Sequence, residues 1–191
     1  MLPKAPLLLM TVVLHHKAMK NSVSHLLQAA CAVALAATLT ILPANSAQAD
    51  AFKFGLGVDN IDTDRGSESV SLQLEYHFDP IRTYDWGHFG VAGIAEFDDD
   101  GDVFAGVGLA LTWNLNQNWF VESGLAAGYY DAGSSGFDLG GNLQFRTLVG
   151  LGYRVNDSST LSLAATHLSN AGIEDLNPGR NAIFLRYGRS F

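Results

Sequence analysis

Hydrophobic and polar residues alternate along most of the chain after residue 50. The stretch 70–78 places an apolar side chain at every second position, and the stretches 103–115 and 143–153 repeat this pattern. Because successive side chains of a β-strand point to opposite faces, the alternation predicts strands with one apolar face and one small or polar face. No stretch after residue 50 is long and apolar enough to predict a membrane-spanning helix.

Eight strands are predicted from the alternating segments and from the turn-forming residues between them. Their ranges are 52–59, 67–78, 86–97, 102–115, 118–129, 139–154, 159–169 and 181–191. Since consecutive strands reverse direction, the connections fall in two groups at opposite ends. Connections 60–66, 98–101, 130–138 and 170–180 are predicted to be external loops, and 79–85, 115–118 and 155–158 periplasmic turns.

Two architectures produce such alternation: a soluble antiparallel sandwich, and an outer-membrane barrel with lipid outside and a polar interior. Segments of roughly 10 residues match the tilted strands that span a membrane. Aromatic residues also fall near predicted strand ends, as interfacial girdles require; they are Phe52, Phe78, Trp86, Trp113, Trp119, Tyr129, Tyr153, Tyr187 and Phe191. The predicted fold class is therefore all-β, an eight-stranded antiparallel transmembrane β-barrel filled by its own side chains.

Residues 1–49 are predicted to form a leader, and residues 50–191 the barrel. A charged segment that begins at Met19 precedes the apolar stretch 26–42, and residues 47–49 (Ala-Gln-Ala) have the composition of a signal-peptidase site. Whether translation starts at Met1 or at Met19 is left open by the sequence. A cleaved signal peptide followed by barrel strands predicts the outer membrane of a Gram-negative cell.

The charge balance argues against a nucleic-acid partner. The chain has 11 Lys and Arg against 19 Asp and Glu, a net charge of -8. The predicted leader holds three lysines and no acid, so cleavage leaves 8 basic and 19 acidic residues, a net charge of -11. Nucleic acids are polyanions whose binding depends largely on basic side chains, so a surface with this negative charge binds them poorly. The one cysteine, Cys31, lies in the leader, so the barrel has neither disulfides nor thiol chemistry.

Three further motifs receive structural interpretations. The aspartate-rich turn 98–102 has the composition of a calcium loop but lacks the later glutamate of an EF-hand, so a solvated acidic turn is predicted and no metal site. The Gly-x-Gly motifs at 55–57 and 106–108 lie within predicted strands and are expected to allow close packing. His77 and His88 are expected to be structural, in the lumen or a periplasmic turn.

The candidates for chemistry lie near the end of the chain. His167 and Ser169 are two residues apart in the strand 159–169, so they share a face, and a base lies beside a potential nucleophile. They alternate in step with the strand's apolar residues, Leu161, Leu163 and Ala165, so they lie on the same face as these residues. This predicts that His167 and Ser169 face lipid at the external end of the strand. Asn181 is predicted to lie across from them on the same surface. Interfacial polar residues alone explain such a pair, but polar groups facing lipid are costly unless they are functional.

The segment 165–191 resembles the PagL family of outer-membrane lipid A 3-O-deacylases. The residues that carry the resemblance are His-Leu-Ser-Asn-Ala-Gly at 167–172 and Asn-Pro-Gly-Arg-Asn at 177–181. The resemblance implies an eight-stranded barrel that hydrolyses the ester-linked acyl chain at position 3 of lipid A in lipopolysaccharide. We expect this hydrolysis to need no cofactor.

The resemblance also implies roles for individual residues. His167 would be the base and Ser169 the nucleophile. Asn170 and the backbone N–H of Gly172 would form the oxyanion hole, which stabilises the negative charge that develops on the substrate oxygen.

The sequence departs from the family pattern at the residue that orients the histidine. The family has an acid at the start of the last strand, and the matching position here is Asn181. An asparagine oxygen can still select the histidine tautomer, although it stabilises an imidazolium less well. Glu174 or Asp175, in the preceding loop, is the alternative third member.

Two other functions remain open on sequence grounds. One is a non-catalytic small barrel with an adhesion or envelope-structural role, which would have no reason to keep a polar cluster facing lipid. The other is a phospholipase, which would use the same chemistry on glycerophospholipids. A homodimer is compatible with either interpretation.

Overall fold

The computed structural model describes residues 50–61, 68–133 and 136–191. Within these ranges the chain forms nine strands: β1 (Ala51–Asp59), β2 (Ser69–His77), β3 (Arg82–Tyr84), β4 (Gly87–Asp98), β5 (Val103–Asn114), β6 (Trp119–Asp131), β7 (Leu143–Asn156), β8 (Ser159–Ser169) and β9 (Arg180–Ser190). The described residues include no helix of the length and apolar character needed to cross a membrane. The predicted leader, residues 1–49, lies outside the described part of the chain.

Eight of these strands close into one antiparallel barrel. Each of β4 to β8 pairs with the next strand along the chain, and β9 pairs with β1, which pairs with β2. The barrel closes between β2 and β4, where Ser71 pairs with Asp98 and His77 with Ala92. The eight-stranded barrel predicted from the alternation is therefore confirmed, and the sandwich alternative is wrong.

Most strand boundaries differ from the prediction by two residues or fewer, and two differences are larger. The short strand β3 lies inside the predicted turn 79–85 and pairs with the start of β4, because residues 85–86 form a two-residue hairpin turn. Strand β7 begins at Leu143 rather than at residue 139. Leu139 is fully buried, and its carbonyl oxygen accepts hydrogen bonds from side chains instead of from a neighbouring strand.

The described residues of four connections, 60–61 and 68, 99–102, 132–133 and 136–142, and 170–179, lie at one end of the barrel, which we call the external end. Outer-membrane barrels carry their longer loops outside the cell and their short turns in the periplasm. The opposite end, called the periplasmic end, carries the turns 115–118 and 157–158 and the hairpin formed by β3.

Strand β8 shows how the alternation sorts side chains between lipid and lumen. Leu161, Leu163 and Ala165 are exposed on the outer wall, whereas Ala164 and Leu168 are buried inside. Leu185 on β9 is 63% exposed, and the outer wall as a whole is a large apolar surface whose exposure to water would be unfavourable. The hydrocarbon core of a membrane is a favourable environment for such a surface.

A ladder of alternating charges fills the middle of the lumen. It contains Lys53, Glu122, Arg186, Glu75, Arg146 and Glu96, each in contact with at least one member of opposite charge. Arg186 is 1% exposed and bridges Glu122, at 2.9 Å, and Glu75. Buried charges need partners of opposite charge, and these partners are available only inside the barrel. The ladder therefore determines which side chains of its strands face the lumen.

The acidic turn is only partly solvated, contrary to the prediction. Asp98 and Asp102 point into the external end of the lumen, where Arg180 Nη1 lies 2.8 Å from Asp98 Oδ2 and 3.5 Å from Asp102 Oδ2. Asp59 Oδ2 lies 3.1 Å from the same nitrogen. The guanidinium of Arg180 therefore balances the charge of these carboxylates inside the lumen.

Aromatic side chains form a girdle at the periplasmic end, as predicted. The rings of Trp86 and Trp113 have centroids 5.1 Å apart, and so do those of Trp119 and Tyr153. At the external end, Tyr129 is 58% exposed on the outer wall. Amphipathic rings at these depths favour the two membrane–water interfaces.

The glycine motifs and the two other histidines lie where the sequence predicts, and the structural role of these histidines stays a prediction. A Cβ added to Gly57 would lie 2.2 Å from the carbonyl oxygen of Ile183, so this glycine allows close approach of β1 and β9. His77 and His88 line a cavity of about 300 Å³ at the periplasmic end of the lumen. His77 Nε2 lies 2.7 Å from Glu75 Oε2, which joins this histidine to the charge ladder.

Candidate active site

The candidate site lies on the outer wall at the external end, where β8 pairs with β9. His167 pairs directly with Asn181 in the register of these strands. His167 is exposed and Asn181 half-buried, and His167 Nδ1 lies 2.8 Å from Asn181 Oδ1. Because an amide oxygen only accepts, this bond places the ring proton on Nδ1 and leaves Nε2 free to accept a proton.

Ser169 lies two residues further along β8 and is half-buried. Within the described residues its hydroxyl forms no hydrogen bond, so the contact with His167 Nε2 is not closed. Ser169 and His167 point to the same face of β8, because residues i and i+2 of a strand share a face. Catalytic hydrogen bonds are often long in the free enzyme and shorten when substrate binds.

The two loop acids form no hydrogen bond with the histidine ring among the described residues. Glu174 and Asp175 are exposed in the connection between β8 and β9. Among the described residues, Asn181 is the side chain that hydrogen-bonds His167. The geometry therefore favours Asn181 over Glu174 as the group that orients the base, and this role remains a prediction.

The side chain of Asn170 is buried between the external loops and is not available to a substrate oxygen. It is 0% exposed, and its Nδ2 donates to the carbonyl oxygens of Leu139, at 3.0 Å, and Leu176, at 2.7 Å. Both amide protons are thus used to join two external loops. To reach a substrate oxygen, Asn170 would first have to break these bonds, so its observed role is to anchor the loops.

The backbone N–H of Gly172, the second expected donor, is also engaged. It donates to Asn170 Oδ1 at 2.9 Å. This bond is short-range and partly exposed, and a substrate oxyanion would be a stronger acceptor than a neutral amide. Gly172 therefore stays a predicted donor, and this role requires its N–H to leave Asn170 Oδ1 and donate to the substrate oxygen when the substrate is bound.

Sequence reasoning missed two residues that shape the site. Asn177 Oδ1 accepts the backbone N–H of Asn170 at 3.1 Å, which folds the loop back on itself. Arg180, next to Asn181, anchors the start of β9 inside the lumen through Asp98. The Asn-Pro-Gly turn signal points to Asn177, but the partners of Arg180 are too distant in sequence to be identified from local patterns.

Replacing Asn170 by alanine should loosen the external loops. The carbonyl of Leu176 and the N–H of Gly172 would lose their partner, and the carbonyl of Leu139 would keep only its bond from Gln144. We expect faster amide exchange at Gly172 in Asn170→Ala, measured by hydrogen–deuterium exchange. Exchange at wild-type rates would contradict the anchoring role.

The fold and the site define a class of protein: an outer-membrane β-barrel with a histidine, an asparagine and a serine on its lipid-facing wall. Among the residues described, no cluster of His, Cys, Asp and Glu has the composition of a metal site. The crystal structure of the outer membrane enzyme PagL is similar in fold, with a TM-score of 0.57 and 17% identity, covering 74% of this chain and 99% of that one. A de novo designed transmembrane β-barrel is also similar, with a TM-score of 0.54, 9% identity and coverage of 78% and 100%.

The chain belongs to the family described as lipid A 3-O-deacylase (PagL), whose sequence model matches residues 68–190. A curated relative, lipid A deacylase PagL of Bordetella bronchiseptica, is 31% identical over 80 residues. This match covers 41% of the chain and 45% of the relative, so the aligned part spans less than half of that protein's length.

Proposed function

We propose that this protein removes the ester-linked acyl chain at position 3 of lipid A in the outer leaflet of the outer membrane. Family membership supports the reaction class. The observation that carries the proposal is the hydrogen bond between His167 and Asn181 on the lipid-facing wall, beside Ser169. A soluble ester could not approach this surface within the membrane, whereas an amphiphile whose ester lies at headgroup depth is held against it.

Ser169 is the nucleophile in the proposed reaction. Its Oγ attacks the acyl carbonyl carbon while His167 Nε2 takes the hydroxyl proton, which gives a tetrahedral intermediate. The bond between the acyl carbon and the ester oxygen then breaks, and His167 gives its proton to that oxygen, which leaves as the 3-hydroxyl of the sugar. Water, deprotonated by His167 in turn, hydrolyses the acyl-serine ester and releases the fatty acid.

Asn181 has the task of holding the histidine in the productive tautomer. Its oxygen accepts from Nδ1, so Nε2 is unprotonated at the start of the reaction. A neutral amide offers the imidazolium that forms later less electrostatic stabilisation than a carboxylate does. We therefore expect Asn181 to act by orientation more than by charge.

The outer wall next to the site suits an acyl chain. The row of β-sheet neighbours below His167 consists of Val149, Ala165 and Ile183, so a small residue lies between two larger ones. Val149 is 59% exposed and Ile183 45%. An extended hydrocarbon chain can lie over Ala165 with its ester near Ser169, and the barrier to binding is small because lipid already covers this wall.

One chain supplies every group in this mechanism. His167 and Ser169 lie on β8, Asn181 lies on β9, and Gly172 lies in the loop between these strands. A homodimer is therefore not required for the reaction and stays a prediction.

The proposal can be tested by mass spectrometry of lipid A. Wild-type protein expressed in a Gram-negative host should yield lipid A lighter by one 3-O-linked hydroxyacyl group. The same host expressing Ser169→Ala at matched levels in the outer membrane should yield unmodified lipid A. Fatty-acid release from glycerophospholipids with intact lipid A would favour the phospholipase alternative. Unchanged lipids with the wild type would favour the non-catalytic barrel.

A further inference from the structure

Gly179 lies against the ring of His167, at the end of the loop that joins β8 to β9. A Cβ added to Gly179 would lie 2.8 Å from His167 Cε1, 3.5 Å from Nε2 and 3.7 Å from Nδ1. Carbon atoms in ordinary contact are about 3.5–4.0 Å apart. A side chain at position 179 would therefore collide with the edge of the imidazole that carries both nitrogens.

The backbone at Gly179 is fixed from both sides, so it has little freedom to retreat. On the side toward β8, Asn177 Oδ1 accepts the N–H of Asn170 at 3.1 Å. On the side toward β9, Arg180 is held in the lumen by Asp98 at 2.8 Å and Asp59 at 3.1 Å. A collision with the ring must consequently be relieved by movement of the ring.

We propose that Gly179 is a positioning residue for the base, because its missing side chain leaves the space in which the His167 ring keeps its hydrogen bond to Asn181. This inference rests on the proposed function. Since Nδ1 is tied to Asn181, a push on Cε1 displaces Nε2, the atom that exchanges the proton with Ser169. Errors of about 1 Å in such contacts can cost 10²-fold in rate.

Gly179→Ala should therefore lower kcat by about 10- to 100-fold with little change in KM. The acyl chain and headgroup of the substrate do not need the ring position for binding, whereas proton transfer does. In the same variant, the imidazole ¹⁵N signals of His167 in detergent micelles should shift. The His167 signals are identified by their loss in His167→Gln.

A matched control separates the ring contact from backbone strain. Gly179 has φ +71°, which is unfavourable for alanine, and Gly101 has φ +94° in another external loop. A Cβ at Gly101 would meet its nearest atom, Gly133 Cα, at 3.7 Å, which is an ordinary contact. Gly101→Ala thus introduces a comparable strain at a position whose Cβ does not contact His167, and kcat and the His167 signals should stay at wild-type values.

A second variant covers the case in which Gly179→Ala does not fold, as judged by heat-modifiable migration on a gel. Gly179→Asn adds the same Cβ, but asparagine tolerates positive φ. Its kcat and His167 signals should change as expected for alanine. Wild-type signals or a wild-type kcat in a folded Gly179 variant would overturn the inference. If the wild type lacks deacylase activity, the ring signals still test the position of His167, so the two proposals fail separately.

Discussion

Ser169→Ala and His167→Ala should each lower the rate of lipid A deacylation by about 10³-fold or more, the scale seen when one member of such a catalytic group is removed. Alanine at 169 removes the atom that forms the acyl-enzyme, and alanine at 167 removes the acceptor for its proton. Both side chains lie on the outer wall, so the barrel should remain folded. The measurement is the initial rate of fatty-acid release by purified protein in detergent micelles.

Ser123→Ala is a matched control for the serine. Ser123 is also a half-buried serine in a barrel strand, on β6 with the parity of the outward-facing Val121 and Leu125. Its replacement should leave the rate unchanged. Heat-modifiable migration should be the same in all variants. Near-normal rates in Ser169→Ala or His167→Ala would remove that residue from the mechanism.

The barrel could be predicted because its information is local. In the middle of β8 and β9, at 161–165 and 183–187, every second residue is apolar, and a period of two defines which side chains face outward without knowledge of the strand's neighbours. The same parity placed His167 and Asn181 on one surface, and the structure pairs them directly. Local alternation and antiparallel order are sufficient for this part of the site.

Contacts between distant segments could not be predicted in the same way. Asp98 was expected in a solvated turn, but Arg180, 82 residues later in the chain, draws it into the lumen. Leu139 was assigned to a strand, but its carbonyl binds Asn170 and its side chain is buried in a hydrophobic cluster. Both contacts depend on the path of the external loops, which alternation does not determine.

The buried amide of Asn170 shows the limit of a family motif. The resemblance implies an oxyanion donor at this position, but Asn170 follows the last residue of β8, and its buried side chain donates to the carbonyl oxygens of Leu139 and Leu176. Strand alternation ends at Ser169, so the direction of this side chain depends on the loops that it joins. Asn170 stays a predicted donor on the same condition as Gly172, namely that its hydrogen bonds are exchanged when the substrate is bound.

Replacing Asn181 tests whether the His167 ring is oriented by Asn181 on β9 or by an acid in the loop between β8 and β9. Asn181→Ala should lower kcat on the order of 10²-fold, which is less than the loss of about 10⁴-fold that follows when a charged orienting residue is replaced. The expected loss arises because His167 Nδ1 would lose its acceptor at 2.8 Å, so the tautomer with Nε2 free would no longer be favoured. The measurement is kcat for lipid A in micelles.

Asn181→Glu should keep or raise kcat, since a carboxylate in the same place accepts from Nδ1 and also stabilises the imidazolium. Glu174→Gln and Asp175→Asn remove charge from exposed loop positions that do not hydrogen-bond His167, so both should change kcat little. An inactive Glu174→Gln together with a fully active Asn181→Ala would transfer the orienting role to the loop. In that case the loop would have to close over the site when lipid A binds, and the bond between His167 and Asn181 would belong only to the free enzyme.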